Sequence, residues 1–178
     1  MKKLLPVLFL LLLAAAPAFA QQVEEYPRLE GFIGYSYLYA DLFVDRDSAH
    51  GFAASLSGNF HRNFGITGEV AGHWGTFTGV DYQNYTFLAG PRVTGRFERV
   101  TPYAHTLVGF ANTRALGDSD NNFAWVVGGG LDVNATKEVA IRVAQLDYVF
   151  IRASAGGLSG NSHSFRLSSG IVIRWGVH

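Results

Sequence analysis

The sequence predicts an all-β fold, an eight-stranded antiparallel up-and-down transmembrane β-barrel. Three observations lead there. The first is a two-residue alternation, clearest between Ser162 and Trp175. Phe165, Leu167, Ser169, Ile171, Ile173 and Trp175 share one face there, and Ser164, Arg166, Ser168, Gly170, Val172 and Arg174 share the other. Successive side chains of a strand point to opposite faces, so this segment is a ribbon with one apolar and one cationic side. The second is the rhythm of the connections, which alternate between tight turns and mostly longer links. The third is the placement of aromatic residues near strand ends. A soluble barrel would place its large aromatics in the middle of the core. A membrane barrel turns the apolar face to lipid, the polar face to the lumen, and sets aromatics at the two interfaces.

In chain order, Met1-Lys2-Lys3 is followed by an apolar run from Leu4 to Ala16 and then Pro17-Ala18-Phe19-Ala20. A basic start, a short apolar segment and an A-x-A site define a signal peptide over 1–20, cleaved after Ala20. The apolar run is shorter than the roughly 20 residues a membrane-spanning helix needs. Removing 20 of the 178 residues leaves 158, enough for one domain. Lys2 and Lys3 leave with the signal, so 12 basic residues face 14 acidic ones, a net charge of −2. That balance carries no basic patch and excludes nucleic acid as an expected partner. Among the 12, only Lys137 is lysine. Arginine suits fixed, forked ion pairs in confined spaces. The chain has no cysteine. An exported domain without disulfides needs a good core or a closed hydrogen-bond ladder in a membrane.

Residues 21–29 form a polar N-terminal tail, and the barrel domain is expected over 30–178. Eight strands are expected near 30–40, 51–60, 64–76, 82–96, 101–114, 122–133, 138–150 and 162–175. Strand two sets Phe52, Ala54, Leu56, Gly58 and Phe60 against Ala53, Ser55, Ser57 and Asn59. Strand three sets Phe64, Ile66, Gly68, Val70, Gly72 and Trp74 against Thr67, Glu69, Ala71 and His73. Strand four sets Tyr85, Phe87, Ala89, Pro91 and Val93 against a face that includes Leu88, Arg92 and Arg96. Strand six sets Phe123, Trp125, Val127, Leu131 and Val133 against Ala124, Val126 and Asp132. Strand seven keeps Val139, Ile141 and Val143 in phase and slips before Leu146, Tyr148 and Phe150, which predicts a bulge near Ala144 or Gln145. Strands one and five do not resolve into two faces. Tight turns are expected at 61–63, 98–100 and 134–137, and longer links near 41–50, 77–81, 115–121 and 151–161.

Phe60, Phe64, Phe97 and Trp175 fall beside the tight turns. Tyr39, Phe52, Trp74, Phe77, Tyr82, Phe123, Trp125, Tyr148 and Phe150 fall toward the other end. Opposite the lipid stripe lie Glu69, His73, Arg92, Arg96, Asp132, Arg142, Arg166 and Arg174. Eight strands leave an interior that side chains just fill. Buried charges must be paired, so these arginines are expected to be neutralised by Glu69, Asp132 and Asp147, closing the lumen. The alternative is a proton or ion path.

The signal peptide, the alternating strands, Gly31 to Leu38 (GFIGYSYL), Thr101 to His105 (TPYAH), Gly128 to Val133 (GGGLDV) and Ile141 to Tyr148 (IRVAQLDY) resemble the small outer-membrane β-barrel family of the OmpA transmembrane domain and OmpX. The resemblance spans essentially the whole mature chain. It implies location in the outer membrane of a Gram-negative-type cell, insertion by the barrel-assembly machinery, and escort by periplasmic chaperones. The residues and the resemblance together lead to the expectation of a monomer in contact with outer-membrane lipid and lipopolysaccharide, with no cofactor and a structural or cell-surface role rather than catalysis. The peptidoglycan-binding domain of full-length OmpA has no counterpart here, and Trp175 stands three residues before the end, where the family ends on an aromatic.

A lipid A-type hydrolase is the enzymatic alternative. Ser162-His163-Ser164 supplies a serine and a histidine, but no acid follows Asp147 in sequence, and His163 points away from both serines in strand geometry. Asp118-Ser119-Asp120-Asn121-Asn122 carries hard oxygen ligands without the spacing of a calcium loop and reads as a solvated turn. A small channel and a soluble lipocalin-like carrier complete the alternatives.

Overall fold

The computed structural model describes residues 26–42, 45–77, 80–115, 118–155 and 158–177. The signal peptide and residues 21–25 of the lead-in lie outside them. Eight strands follow one another: β1 Pro27–Leu42, β2 Asp45–Asn59, β3 Phe64–Phe77, β4 Val80–Thr94, β5 Val100–Ala115, β6 Asp118–Asn134, β7 Val139–Ala155 and β8 Leu158–Val177. Each pairs antiparallel with the next, and β8 returns to pair with β1, so the sheet is a closed barrel. Closure leaves no edge strand, the condition for burying a sheet in lipid.

The alternation works as an inverted core. Ile33 and Ile66 on the outer face are 63% and 60% exposed, whereas Arg142 and Arg166 on the inner face are 1% exposed. Water would reverse that arrangement, and lipid requires it. β1 and β5, ambiguous in sequence, resolve here. β1 turns Glu30, Phe32, Ser36 and Leu38 inward, and β5 turns Thr101, Tyr103, His105 and Leu107 inward. Their inner faces mix apolar with polar residues, so the two sides of each strand look alike by hydropathy.

The strands are longer than their apolar stretches. Crossing a bilayer takes about 9–11 tilted residues, and β3 and β8 have 14 and 20. The surplus lies at the end opposite the termini. There the β1–β2 ladder runs to Leu42 and Asp45, and β5–β6 to Ala115 and Asp118. The longer links expected near 41–50, 77–81, 115–121 and 151–161 are therefore largely paired strand. Their Asp, Gly, Ser and Asn content resembles loop because strands usually exclude those residues. Beyond the lipid, however, both faces of a hairpin meet water, and composition stops reporting on backbone pairing. The first strand likewise begins at Pro27, inside the expected tail. Asp118 to Asn122 belongs to β6, so it is not a turn.

The opposite end holds both ends of the described barrel and three short turns. Phe60 N and His61 N both donate to Phe64 O at 3.2 Å. Ala135 N and Thr136 N both donate to Val139 O, at 3.0 and 2.9 Å, and Thr136 Oγ1 accepts from Val139 N at 3.0 Å. Gly34 and Gly170 face one another inside the β1–β8 seam. A Cβ on Gly34 would stand 2.2 Å from Ser169 O, and one on Gly170 2.2 Å from Ile33 O, so the two backbones approach this closely only with glycine on the inner side.

One irregularity matters for the interior. In β7, Arg142 pairs with Gly170 and Gln145 with Ser168, so Val143 and Ala144 together oppose Ser169. This bulge lies at the predicted place. It turns both Arg142 and Gln145 inward although they are three residues apart. Deleting Ala144 leaves Arg142 and Gln145 two residues apart and both inward, so regular pairing should absorb the deletion. The expected result is a variant that still gives the compact, heat-modifiable form on gels after refolding in detergent. Loss of that form would contradict the reading that one extra residue there sets the phase of β7.

Candidate functional site

Among the described residues, the barrel interior holds two ionic layers and two buried apolar clusters, the smaller one of Phe32, Ala53, Ala71, Ala140 and Val172. The layer nearer the termini is built from β1, β4, β6, β7 and β8. Arg142 Nε and Nη2 donate to Asp132 Oδ1 and Oδ2 at 2.8 and 3.2 Å, a forked pair. Arg92 Nη2 lies 3.4 Å from Glu30 Oε2 and 3.6 Å from Asp132 Oδ2, and its Nη1 donates to Ser57 Oγ at 3.0 Å. Arg96 Nη2 reaches Glu30 Oε1 at 2.6 Å, and Asn59 Nδ2 donates to the same oxygen at 3.1 Å. Arg174 Nη1 donates to Asn134 Oδ1 at 2.8 Å. The Arg92 and Arg142 guanidiniums lie 4.1 and 4.4 Å from the Tyr103 ring centre, and Arg142 also lies 4.1 Å from that of Phe32.

The second layer centres on Arg166, which contacts Glu69 Oε1 through Nη2 and donates to Asp147 Oδ2 through Nε at 3.0 Å and Nη2 at 2.6 Å. His105 Nε2 shares a hydrogen bond of 2.8 Å with Asp147 Oδ1. The register places these groups along one inner line, since Arg92, His105, Gly128, Asp147 and Arg166 are successive partners across β4 to β8. Gly128 is part of the fit: a Cβ there would meet Asp147 Oδ1 at 2.1 Å and Leu146 O at 2.4 Å.

Gln145 joins the layers. Its Oε1 accepts from Arg142 Nη1 and from Tyr103 OH, both at 2.7 Å. Its Nε2 donates to Asp147 Oδ2 at 2.7 Å and to Glu69 Oε2 at 3.1 Å. All four hydrogen-bonding positions of the amide are used. Only one amide orientation fits, because a guanidinium requires the oxygen and the carboxylates require the nitrogen. Further from the termini, Leu38, Leu88, Leu107, Val126, Val149 and Ile151 form a buried apolar cluster with small neighbours such as Ala111 and Ala124.

Of the residues singled out in sequence, Glu69 and Arg166 meet in one layer, and Arg92, Asp132 and Arg142 in the other, beside Arg96 and Arg174. His73 stands apart from the charges, with Nε2 at 2.9 Å from Ser36 Oγ, which also accepts from Ser168 Oγ at 3.0 Å. Sequence reasoning missed Glu30, Tyr103, His105 and Gln145 in the lumen. Glu30 sat at an expected strand boundary, Tyr103 and His105 on an unresolved strand, and Gln145 at the slip itself. The slip was the one available signal for Gln145.

Among the aromatics, Phe60, Phe64, Trp74, Trp125 and Trp175 are exposed on the outer face and Tyr148 is half-buried. Trp74 packs against Phe52 and Tyr85, with ring centres 5.7 and 6.0 Å apart. Trp125 Nε1 donates to Thr106 Oγ1 at 2.9 Å. The placement of the Phe77 and Tyr82 side chains lies outside what is described. His163 is exposed on the outer face, where its Nδ1 contacts Tyr148 OH rather than a serine. The structure does bring Ser36 onto His73, but both are buried in the lumen.

A closed antiparallel barrel with a lipid-type outer face and an ionic interior defines a membrane-spanning β-barrel protein. The family model for the outer membrane protein beta-barrel domain matches residues 7–170, and the chain belongs to that family. It is an outer-membrane β-barrel of the small, eight-stranded kind. The solved structure of Neisserial surface protein A superposes with a TM-score of 0.70 at 14% identity, covering 83% of this chain and 97% of that one. OprG from Pseudomonas aeruginosa gives 0.61 at 10% identity, covering 88% and 99%. The attachment invasion locus protein Ail of Yersinia pestis gives 0.51 at 20% identity, covering 83% and 99%. At these identities the likeness is one of fold. No curated protein matches the chain by sequence.

Gln145→Leu keeps the volume of the bridge but strips a bond from two carboxylates, a guanidinium and a phenol. Unfolding in urea from lipid bilayers should show a loss of roughly 3 kcal/mol, the scale of buried charged groups losing partners. A change below about 0.5 kcal/mol, typical of a neutral surface substitution, would contradict the bridging role.

Proposed function

We propose that this protein is a non-conducting, monomeric envelope component whose turn end faces the periplasm and whose extended hairpins reach the cell surface. Its role there is structural or interactive: contact with lipopolysaccharide, neighbouring molecules or foreign surfaces, with no chemical step. The observation that carries the proposal is the Gln145 bridge between Arg142 on one side and Glu69 and Asp147 on the other. It ties the ionic layers across the lumen, and the apolar cluster around Leu107 and Val126 stacks beyond them. Ions passing through would have to part forked arginine pairs and then pass an apolar cluster edged by the buried side chains of Thr86, Asn122 and Ser164. The long far-end ladders support the surface role, since they carry polar strand beyond the span needed by lipid.

Biogenesis follows from the same reading. Periplasmic chaperones escort the chain, and the barrel-assembly machinery inserts it. The names of two proteins of similar fold, a surface protein and an attachment protein, accord with surface exposure.

Purified protein in planar bilayers should leave the membrane silent at neutral pH, with no sustained conductance steps. Reproducible open-channel steps that change in the Arg142→Gln or Arg166→Gln variant would overturn the closed-lumen reading.

A further inference from the structure

The ionic layer nearer the termini holds more positive charge than its own acids neutralise. Arg92, Arg96, Arg142 and Arg174 face Glu30 and Asp132, so two cations are in surplus. Shared acids chain three of them, since Arg96 and Arg92 both reach Glu30 and Arg92 and Arg142 both reach Asp132, while Arg174 holds Asn134 in the same layer. Their donors are unequally used. Arg142 spends Nε and Nη2 on Asp132 and Nη1 on Gln145. Arg96 donates through Nε to Arg62 O at 2.8 Å and sets Nη2 2.6 Å from Glu30 Oε1, an ion pair without hydrogen-bond geometry. Arg174 is 5% exposed, and its Nε and Nη2 have no hydrogen-bond partner among the described residues. Arg92, 2% exposed, likewise has Nε and Nη2 without a hydrogen-bond partner, but its Nη2 lies within ion-pair distance of Glu30 and Asp132. The acid whose backbone pairs with Arg174 does not help it: Glu138 lends its backbone oxygen to Arg174 N at 2.7 Å, while its carboxylate takes Thr136 Oγ1 at 3.0 Å on the exposed turn.

Nε and Nη2 are the two parallel donors along one edge of a guanidinium, the edge that grips an oxyanion side-on. A buried cation without a counter-charge is costly, and arginine cannot shed its proton to escape that cost. The group sits at the turn end of the lumen, where Arg96 and Asn134 are half-buried. We propose that this end of the barrel is a binding site for a small oxyanion of the phosphate class, held side-on by the Nε–Nη2 edge of Arg174 and neutralised by the arginine surplus around Glu30. The bound anion would complete the charge balance of the layer and so couple barrel stability to the anion content of the compartment that bathes the turns.

The test uses the full mature chain folded in zwitterionic detergent micelles. Thermal unfolding is followed by heat-modifiable gel migration at constant ionic strength, with sodium chloride replaced stepwise by sodium phosphate. The expected result is a saturable rise in Tm with phosphate that is lost in Arg174→Gln and retained in Arg152→Gln, whose side chain is exposed. Arg174→Lys keeps the charge without the side-on edge and is expected to lose most of the phosphate response. It serves as the deciding variant if Arg174→Gln does not refold. The absence of a saturable response, or an equal response in wild type and the Arg174 variants, would overturn the proposal. The chain carries its own rival carboxylates in Glu24 and Glu25, just ahead of β1. A phosphate response that survives in E24Q/E25Q supports a free anion. A response that appears only in E24Q/E25Q would overturn the proposal in favour of the lead-in as the layer's counter-charge.

Discussion

The interior of this barrel depends on one amide. Gln145 accepts from the guanidinium of Arg142 and donates to the carboxylates of Asp147 and Glu69, so each ionic layer is held in register by the other. It can do this only because β7 carries an extra residue at Val143 and Ala144. Without the bulge, Arg142 and Gln145 would lie on opposite faces, and one of them would enter lipid. A local irregularity of backbone pairing thus decides the composition of the lumen. Bulges commonly re-aim a side chain in this way.

The outer and inner faces divide the work differently from a soluble protein. Lipid gives no hydrophobic drive to bury Ile33, Ile66 or Phe60, and these residues simply match the solvent around them. Order inside must come from packing and from paired charge. Arginine is suited to this because its fork contacts two groups at once, as Arg166 does with Glu69 and Asp147. Such pairs need not add much net stability, since desolvation offsets the attraction. Their more certain effect is specificity, because any misregister of two strands strands a charge. The stacking of Arg92 and Arg142 with Tyr103 extends the same logic to an aromatic side chain inside the lumen.

How much could be read in advance follows from the same physics. Where one face is apolar and the other charged, as in Phe165 to Trp175 or Phe64 to Trp74, the sequence specified strand, face and environment together. The bulge in β7 was legible because it interrupts a clear alternation. β1 and β5 were not legible, because Phe32, Leu38, Tyr103 and Leu107 point into the lumen and make both faces apolar. Glu30, Tyr103 and His105 were lost with them, and the lumen looked more uniformly polar than it is. The long hairpins were misjudged for a different reason. Outside the bilayer nothing selects apolar residues on either face, so Asp118 to Asn122 reads as loop while pairing as strand. The partners within the charge network were beyond reach as well, since Arg166 and Glu69 are 97 residues apart.

The central claim is that the two ionic layers form one network through Gln145. The most direct test is a double-mutant cycle between Arg142 and Arg166, which do not share a carboxylate. Equilibrium unfolding of Arg142→Met, Arg166→Met and the double variant would be measured in wild type and again in a Gln145→Leu background. The account predicts a coupling of about 1 kcal/mol or more in wild type that disappears when Gln145 is replaced, as expected of residues joined by one network. Additivity within about 0.5 kcal/mol in wild type would show that the layers act separately and contradict it.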